Sequence, residues 1–189
     1  MTKVIEADGF QFVFEDALDA FIFDEKDKTK STYHGLPMKA VDIVAEFESA
    51  YIYIEIKDFH EPSLYHEASG SSDEEKKERK DNFKWLKNYL KYKYRDSYLC
   101  RHAEQKVDKP IHYICLLTFD NALNSRMKKS LEQELPIGIA SRRWVQPIVA
   151  SCQVVNIERW NKNFPKWLVK RLGSTISDET EGVAISAEA

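Results

Sequence analysis

Residues 111–119 constrain the fold of this chain more than any other segment. Their sequence, Ile-His-Tyr-Ile-Cys-Leu-Leu-Thr-Phe, is apolar almost without interruption. A strand that is covered on both faces has this pattern, whereas a strand with one solvated face alternates apolar and polar residues. Asp120 follows as the expected N-cap of a helix through Leu135, which Pro136 ends. A buried strand followed directly by a helix is typical of an α/β sheet.

The first third of the chain predicts a helix and a hairpin. Alternating phenylalanines predict a short extended segment over 10–14, and apolar residues at helical spacing predict a helix from there to Asp27. Two runs rich in Val, Ile and Tyr, 40–47 and 51–59, are close enough in sequence to form a β-hairpin.

The remaining elements complete a mixed sheet. Ser72 and Glu75 have the spacing of a capping box and predict a helix over 73–95. A further strand is expected over 152–157, and a last short helix over 165–173, between Pro165 and Gly173. The order helix, hairpin, helix, buried strand, helix, strand predicts an α/β fold, a mixed central sheet with helices on both faces.

The register of the hairpin decides which charged side chains meet. A four-residue loop pairs Glu46 with Tyr51 and places Asp42 opposite Glu55, whereas a two-residue loop places Asp42 opposite Lys57. Ser-Ala is unfavourable in a two-residue turn, so the longer loop is favoured. A three-residue loop without a bulge would turn Asp42 to the other face.

Two opposed carboxylates point to a metal ion. Directly opposed side chains lie about 5 Å apart, and two carboxylates at that distance repel each other unless a cation lies between them. Oxygen ligands with room for water suit Mg²⁺ or Mn²⁺. Lys57 follows Glu55 on the same face, where its amine would orient an attacking water.

The arrangement Asp42 … Glu55-Ile56-Lys57 resembles the signature of the PD-(D/E)XK nuclease superfamily. The close match covers residues 40–58, and a looser match in the order of elements covers residues 10–120. The resemblance implies a restriction-endonuclease-like fold. It implies that Asp42, Glu55 and the backbone carbonyl of Ile56 hold the metal ion, and that Lys57 positions the attacking water and stabilises the phosphate. Many members add an acid from the first helix, and the candidates here are Glu15, Asp16 and Asp19, with no choice among them.

A simpler interpretation of the same residues is a solvated sheet face, because Glu and Lys are common and alternate on such faces. The isoleucines Ile52, Ile54 and Ile56 on the opposite face of the strand, and an Asp at matching parity, favour the nuclease site.

Positive charge is concentrated after the hairpin. The net charge is −3, yet residues 76–95 carry nine Lys or Arg against two acids. Such a segment can bind a polyanion locally, and Lys84, Lys87 and Lys91 are the predicted phosphate contacts. The alternative is the solvated face of an amphipathic helix.

Composition narrows the class of protein. The 189 residues suit a single domain over 1–173, followed by a disordered acidic tail over 174–189. The 10 Phe, 9 Tyr and 4 Trp exclude a disordered chain, and no apolar run approaches the roughly 20 residues of a membrane span. The start of the chain lacks the pattern of a secretory signal, and three scattered cysteines are expected to be reduced. These features predict a cytoplasmic protein.

The predicted function is Mg²⁺- or Mn²⁺-dependent hydrolysis of phosphodiesters in DNA or RNA. A chain of this length has no room for a separate sequence-reading domain, so specificity would come from loops, a homodimer partner or another protein. The alternative is a catalytically inactive protein of the same fold that serves as a protein-interaction or nucleic-acid-binding module.

Overall fold

The protein combines eight strands and three helices in the part of the chain that the computed structural model describes, residues 1–33, 35, 37–59, 65, 72–138 and 141–173. The strands are β1 (Lys3–Ala7), β2 (Phe10–Phe14), β3 (Asp19–Ile22), β4 (Ile43–Glu46), β5 (Tyr51–Lys57), β6 (Ile111–Leu117), β7 (Ser151–Val155) and β8 (Val169–Arg171). The helices are α1 (Asp73–Ala103), α2 (Asn121–Glu132) and α3 (Ile157–Asn163).

A five-stranded sheet of order β3-β4-β5-β6-β7 forms the centre of the molecule. Its first three strands are antiparallel neighbours, and β5, β6 and β7 run parallel. The strand β5 therefore lies in the middle, between its hairpin partner and the buried β6. The prediction of a mixed α/β sheet is confirmed.

Each face of the large sheet packs on a different layer. On one face, Leu86 and Leu90 of α1 and Met127 of α2 lie in the same apolar cluster as Tyr53 of β5. On the other face, a three-stranded antiparallel sheet of order β1-β2-β8 joins α3, and Trp160 is fully buried there. Helices thus lie on both faces, but a second sheet that the sequence analysis does not predict covers the second face as well.

Local signals locate three elements correctly. The strand β6 is almost wholly buried, as expected for residues 111–119. Ser72 and Glu75 form the predicted capping box of α1, although the helix continues to Ala103. The side chain of Asp120 accepts a hydrogen bond from the Leu123 N–H at 2.8 Å and caps α2, which ends at Glu132 rather than Leu135.

The predicted helix up to Asp27 is wrong, because the strands β2 and β3 occupy that segment. Leu18 follows Phe14 by four residues and would be buried on the apolar face of such a helix, yet it is 50% exposed. Asp16 has a φ of 61°, which turns the chain between the strands. Ala20 pairs with Ala45 of β4, and this sheet pairing outweighs the helical spacing of the apolar residues.

The predicted helix over 165–173 is also wrong. The helix instead begins at Ile157, where Asn156 caps it by accepting from the Arg159 N–H at 3.0 Å. Val169 lies in β8 and pairs with Phe12 of β2, so tertiary pairing again decides the conformation.

The disordered acidic tail predicted over 174–189 lies outside the described residues. Within the described residues, none of the helices combines the length and the apolar character that a membrane crossing requires.

Candidate active site

The hairpin has the register that places Asp42 opposite Glu55. Glu46 pairs with Tyr51 and Ile43 pairs with Ile54, across a turn closed by a 2.8 Å hydrogen bond from the Phe47 N–H to the Ala50 carbonyl. The prediction of a four-residue loop is confirmed. One step beyond the Ile43 pair, the Ile56 N–H donates to Asp42 Oδ2 at 2.6 Å and holds this carboxylate beside β5.

Two backbone contacts hold Asp42 in place from either side. Ser97 of α1 accepts a hydrogen bond from the Val41 N–H at 2.8 Å, and the Phe23 N–H donates to the Asp42 carbonyl at 2.8 Å. The second contact fixes the backbone just after β3. Asp24, the next residue, therefore lies at the same site.

Glu55 is a fully buried carboxylate, with 0% of its surface exposed. Among the described residues, neither of its oxygens has a hydrogen-bond partner. When ionised, it is paired instead with two ammonium groups, Lys57 Nζ at 3.0 Å and Lys93 Nζ at 3.4 Å. Burial of a carboxylate is costly even when it is paired, and in native proteins such a group calls for an explanation such as a bound ion, a structural ion cluster or a catalytic role.

Lys57 lies on the same face as Glu55, as predicted. Its Nζ donates to the Ile56 carbonyl at 2.8 Å in addition to its ion pair with Glu55. Although burial favours the neutral amine, the carboxylates of Glu55 and Asp42 raise the pKa of Lys57, so this side chain is cationic at neutral pH.

Lys93 of α1 is the main site residue that the sequence analysis misses. It is 4% exposed, and its Nζ lies 3.2 Å from Asp24, 3.4 Å from Asp42 and 3.4 Å from Glu55. The sequence carries a signal for it, because Lys93 follows the apolar Leu90 by three residues and so lies on the same side of α1 as this buried residue. Although burial opposes the charge, Glu55 and Asp42 raise the pKa of Lys93.

The site opens into a cleft of about 480 Å³ that is lined mainly by charged side chains. Its acids are Glu6, Asp8, Asp24, Glu25 and Asp42, and its lysines are Lys26, Lys57 and Lys93. Glu55 lies behind this lining. A cleft with more acids than bases attracts cations, and it repels a polyanion unless a bound cation offsets its negative charge.

Glu15, Asp16 and Asp19, the candidates for an additional acidic residue of the site, all lie away from this cleft. Asp19 pairs with Glu46, at the end of β4 opposite to Asp42, and contacts Lys3 at 3.8 Å. Asp16 is exposed and contacts Lys166 at 3.6 Å, and the exposed Glu15 precedes it in the same turn. Because this segment is a strand, the acid that it brings to the site is Asp24.

The predicted phosphate contacts on α1 divide into two groups. Lys87 and Lys91 pair with Glu134 at 2.7 and 2.9 Å, and these hydrogen bonds lower the pKa of Glu134 to about 2. Lys84 is exposed. The structure thus places Lys87 and Lys91 against the segment that follows α2, and not in the cleft.

Glu55 should make the stability of the metal-free protein depend on pH. Burial, followed by the charge of Asp42, raises its pKa from 4.5 to about 8. Between these values the folded protein keeps a proton that the unfolded chain has lost, so the free energy of unfolding falls as the pH rises from about 4.5 to about 8. The contribution of Glu55 to the slope reaches at most about 1.4 kcal/mol per pH unit.

Urea unfolding between pH 5 and pH 8, with chelator present, measures this dependence. Glu55→Gln is the matched variant, because the amide has nearly the same shape and does not titrate. We expect wild type to lose more stability than Glu55→Gln over this range. Parallel profiles for the two proteins would contradict a raised pKa for Glu55.

Comparison with known proteins adds no identification: no family model, no curated protein and no solved structure matches this chain. Within the described residues, no group of three or more His, Cys, Asp or Glu side chains is found that could hold a metal ion. Magnesium, however, is commonly bound through one or two carboxylates, with water and substrate phosphate completing its shell.

Proposed function

We propose that this protein is a Mg²⁺- or Mn²⁺-dependent phosphodiesterase that acts on nucleic acid, with the active site formed by Asp42, Glu55 and Lys57. The observation that supports this most is that two buried carboxylates, one just before β4 and one within β5, lie together with a cationic lysine at the edge of an open cleft. A restriction-endonuclease-like arrangement of the central sheet is part of the same proposal.

The oxygen atoms at the site fit a small divalent cation. The two oxygens of Glu55 face the ammonium groups of Lys57 and Lys93. Asp42 accepts from the Ile56 N–H through Oδ2 and from Lys93 through Oδ1. A divalent cation would therefore take over these oxygens from the two lysines. Asp42, Glu55 and the Ile56 carbonyl would hold the ion. When bound, the ion supplies the Lewis acidity that polarises a phosphodiester and favours ionisation of water.

The chain itself supplies positioning and positive charge. The Ile56 N–H holds Asp42 and the central strand holds Glu55, so both carboxylates are fixed in place. The ammonium groups of Lys57 and Lys93 would shift away from these oxygens when a cation binds. Lys57 is a cation that faces the cleft, where it would stabilise the negative charge that develops on the phosphate in the transition state.

A second candidate is a non-catalytic protein in which these charges form a structural ion cluster. Lys93 favours it, because its ammonium lies within 3.4 Å of Asp24, Asp42 and Glu55 and neutralises them without a metal. This candidate predicts that wild type does not bind a divalent ion.

Calorimetric titration with Mn²⁺ at near-neutral pH and moderate salt separates the two candidates. We expect saturable binding by wild type and a loss of affinity of about tenfold or more in Asp42→Asn and in Glu55→Gln, because each removes one charged ligand. Asp19→Asn is the matched control, since this exposed acid lies away from the cleft.

Circular dichroism checks that each variant folds. Absence of Mn²⁺ binding by folded wild type, both alone and with a non-hydrolysable dinucleotide that could complete the metal shell, would overturn the proposal. Equal binding by wild type and both site variants would show that other carboxylates hold the ion.

A further inference from the structure

The helix α1 exposes a line of aromatic side chains beside the candidate active site. Trp85, Tyr89 and Tyr92 follow each other at intervals of four and three residues and therefore lie on one side of the helix. Trp85 is 58% exposed and Tyr92 is 43% exposed. We call these three residues the aromatic stripe. Exposed Trp and Tyr side chains add little to the core, so their presence points to a binding surface.

The aromatic stripe leads into the cleft. The rings of Trp85 and Tyr89 are stacked, with centroids 5.3 Å apart and planes inclined by 22°. Tyr89 also lines the cleft, where Lys57 Nζ lies 5.3 Å from its ring centroid. A single ring therefore separates the exposed Trp85 from the lysine of the candidate active site.

Cations surround the stripe, although the cleft beside it is acidic. Lys39 Nζ lies 4.7 Å from the Tyr89 ring and 5.7 Å from the Tyr92 ring. Lys91 and Arg95 approach the Tyr92 ring at 5.3 and 5.6 Å. Aromatic faces among positive charges match a single nucleic-acid strand, whose bases stack while its phosphates pair with the cations.

We propose that the aromatic stripe binds single-stranded nucleic acid and guides it to Lys57, an inference that rests on the proposed phosphodiesterase function and specifies its substrate. A base stacks on the exposed face of Trp85, and Lys39 and Arg95 contact the backbone. Bases inside a duplex are already stacked on both faces and cannot occupy Trp85, so a single strand or an unpaired end is preferred.

Fluorescence anisotropy of a labelled oligothymidylate, with chelator present to prevent cleavage, tests the inference. We expect Trp85→Ala to weaken binding about tenfold or more and Trp85→Phe to retain most of it, because one stacked base is lost or kept. Leu168→Ala is the matched control, since Leu168 is 48% exposed and precedes β8, in the layer on the other face of the large sheet from α1. A blunt duplex of equal length should bind more weakly than the single strand.

The outcomes distinguish this inference from the proposed function. Equal affinity of wild type and Trp85→Ala, or preference for the duplex, would overturn the inference even if metal-dependent cleavage occurs. Binding of the single strand that depends on Trp85 but leads to no cleavage with Mn²⁺ would support the binding surface and overturn the phosphodiesterase. If wild type binds none of the oligonucleotides, the inference is overturned, and the aromatic stripe would instead be a surface for a protein partner.

Discussion

Replacement of Lys57 by methionine is expected to slow Mn²⁺-dependent cleavage of nucleic acid by about 10²–10³-fold, the effect of removing one preorganised group that stabilises transition-state charge. Lys57 is held by Glu55 and by the Ile56 carbonyl, and it faces the cleft as a cation. Methionine has a similar length and retains the packing of the side chain while it removes the charge.

Binding of Mn²⁺ separates a catalytic role from a structural one. The Lys57→Met variant should bind Mn²⁺ at least as tightly as wild type, because a positive charge has been removed 3.0 Å from Glu55. Calorimetry measures the affinity, and initial cleavage rates on single-stranded and duplex DNA and RNA at saturating Mn²⁺ measure the chemistry.

Lys26→Met is the matched control for this experiment. Lys26 lines the same cleft and pairs with Asp24 at 2.5 Å, but its side chain is 80% exposed. We expect cleavage by Lys26→Met to resemble that by wild type. A wild-type rate in Lys57→Met would contradict the role assigned to Lys57.

Replacement of Lys93 by methionine is expected to lower the free energy of unfolding by about 3–5 kcal/mol at pH 8, in the absence of metal. Lys93 is the cation that Asp24, Asp42 and Glu55 share, and its removal leaves buried negative charge without compensation. The loss should be smaller at pH 6, because Glu55, whose pKa is already raised to about 8, can then be neutralised by a proton.

Urea unfolding of wild type, Lys93→Met and Lys84→Met measures the effect. Lys84 lies on the same helix and is exposed, so its replacement should change stability by less than about 0.5 kcal/mol. If the carboxylates form a metal site, Mn²⁺ at 100 times its Kd should return about 2.7 kcal/mol to Lys93→Met. Equal stability of Lys93→Met and Lys84→Met at pH 8 would show that Lys93 does not compensate these acids.

The residues that the sequence locates correctly are close together in the chain. The pairing of Asp42 with Glu55 follows from the alternation of a strand and from the unfavourable chemistry of a two-residue Ser-Ala turn, both of which act over a few residues. Ser72 and Asp120 likewise act on backbone groups three residues away. Interactions of this range can be recognised in the printed sequence.

The segments that the sequence analysis misassigns are stabilised by distant partners. Helical spacing between Phe14 and Ile22 is outweighed because β3 pairs with β4. Pro165 and Gly173 suggest a helix, yet Val169 pairs with Phe12, more than 150 positions earlier in the chain. Local patterns cannot register a hydrogen-bonded neighbour that is so remote in sequence.

The sequence by itself determined the buried strand β6, the hairpin and the joint placement of Asp42, Glu55 and Lys57 on one sheet face, because period, parity and capping are local properties. Only the tertiary structure decided which other charged residues join these three at the site. Lys93 reaches Asp42 from 51 positions away and Asp24 from 69, since α1 packs across the sheet and β3 replaces the expected helix. The charge balance at the candidate site is therefore a consequence of packing, which brings together residues that no local spacing relates.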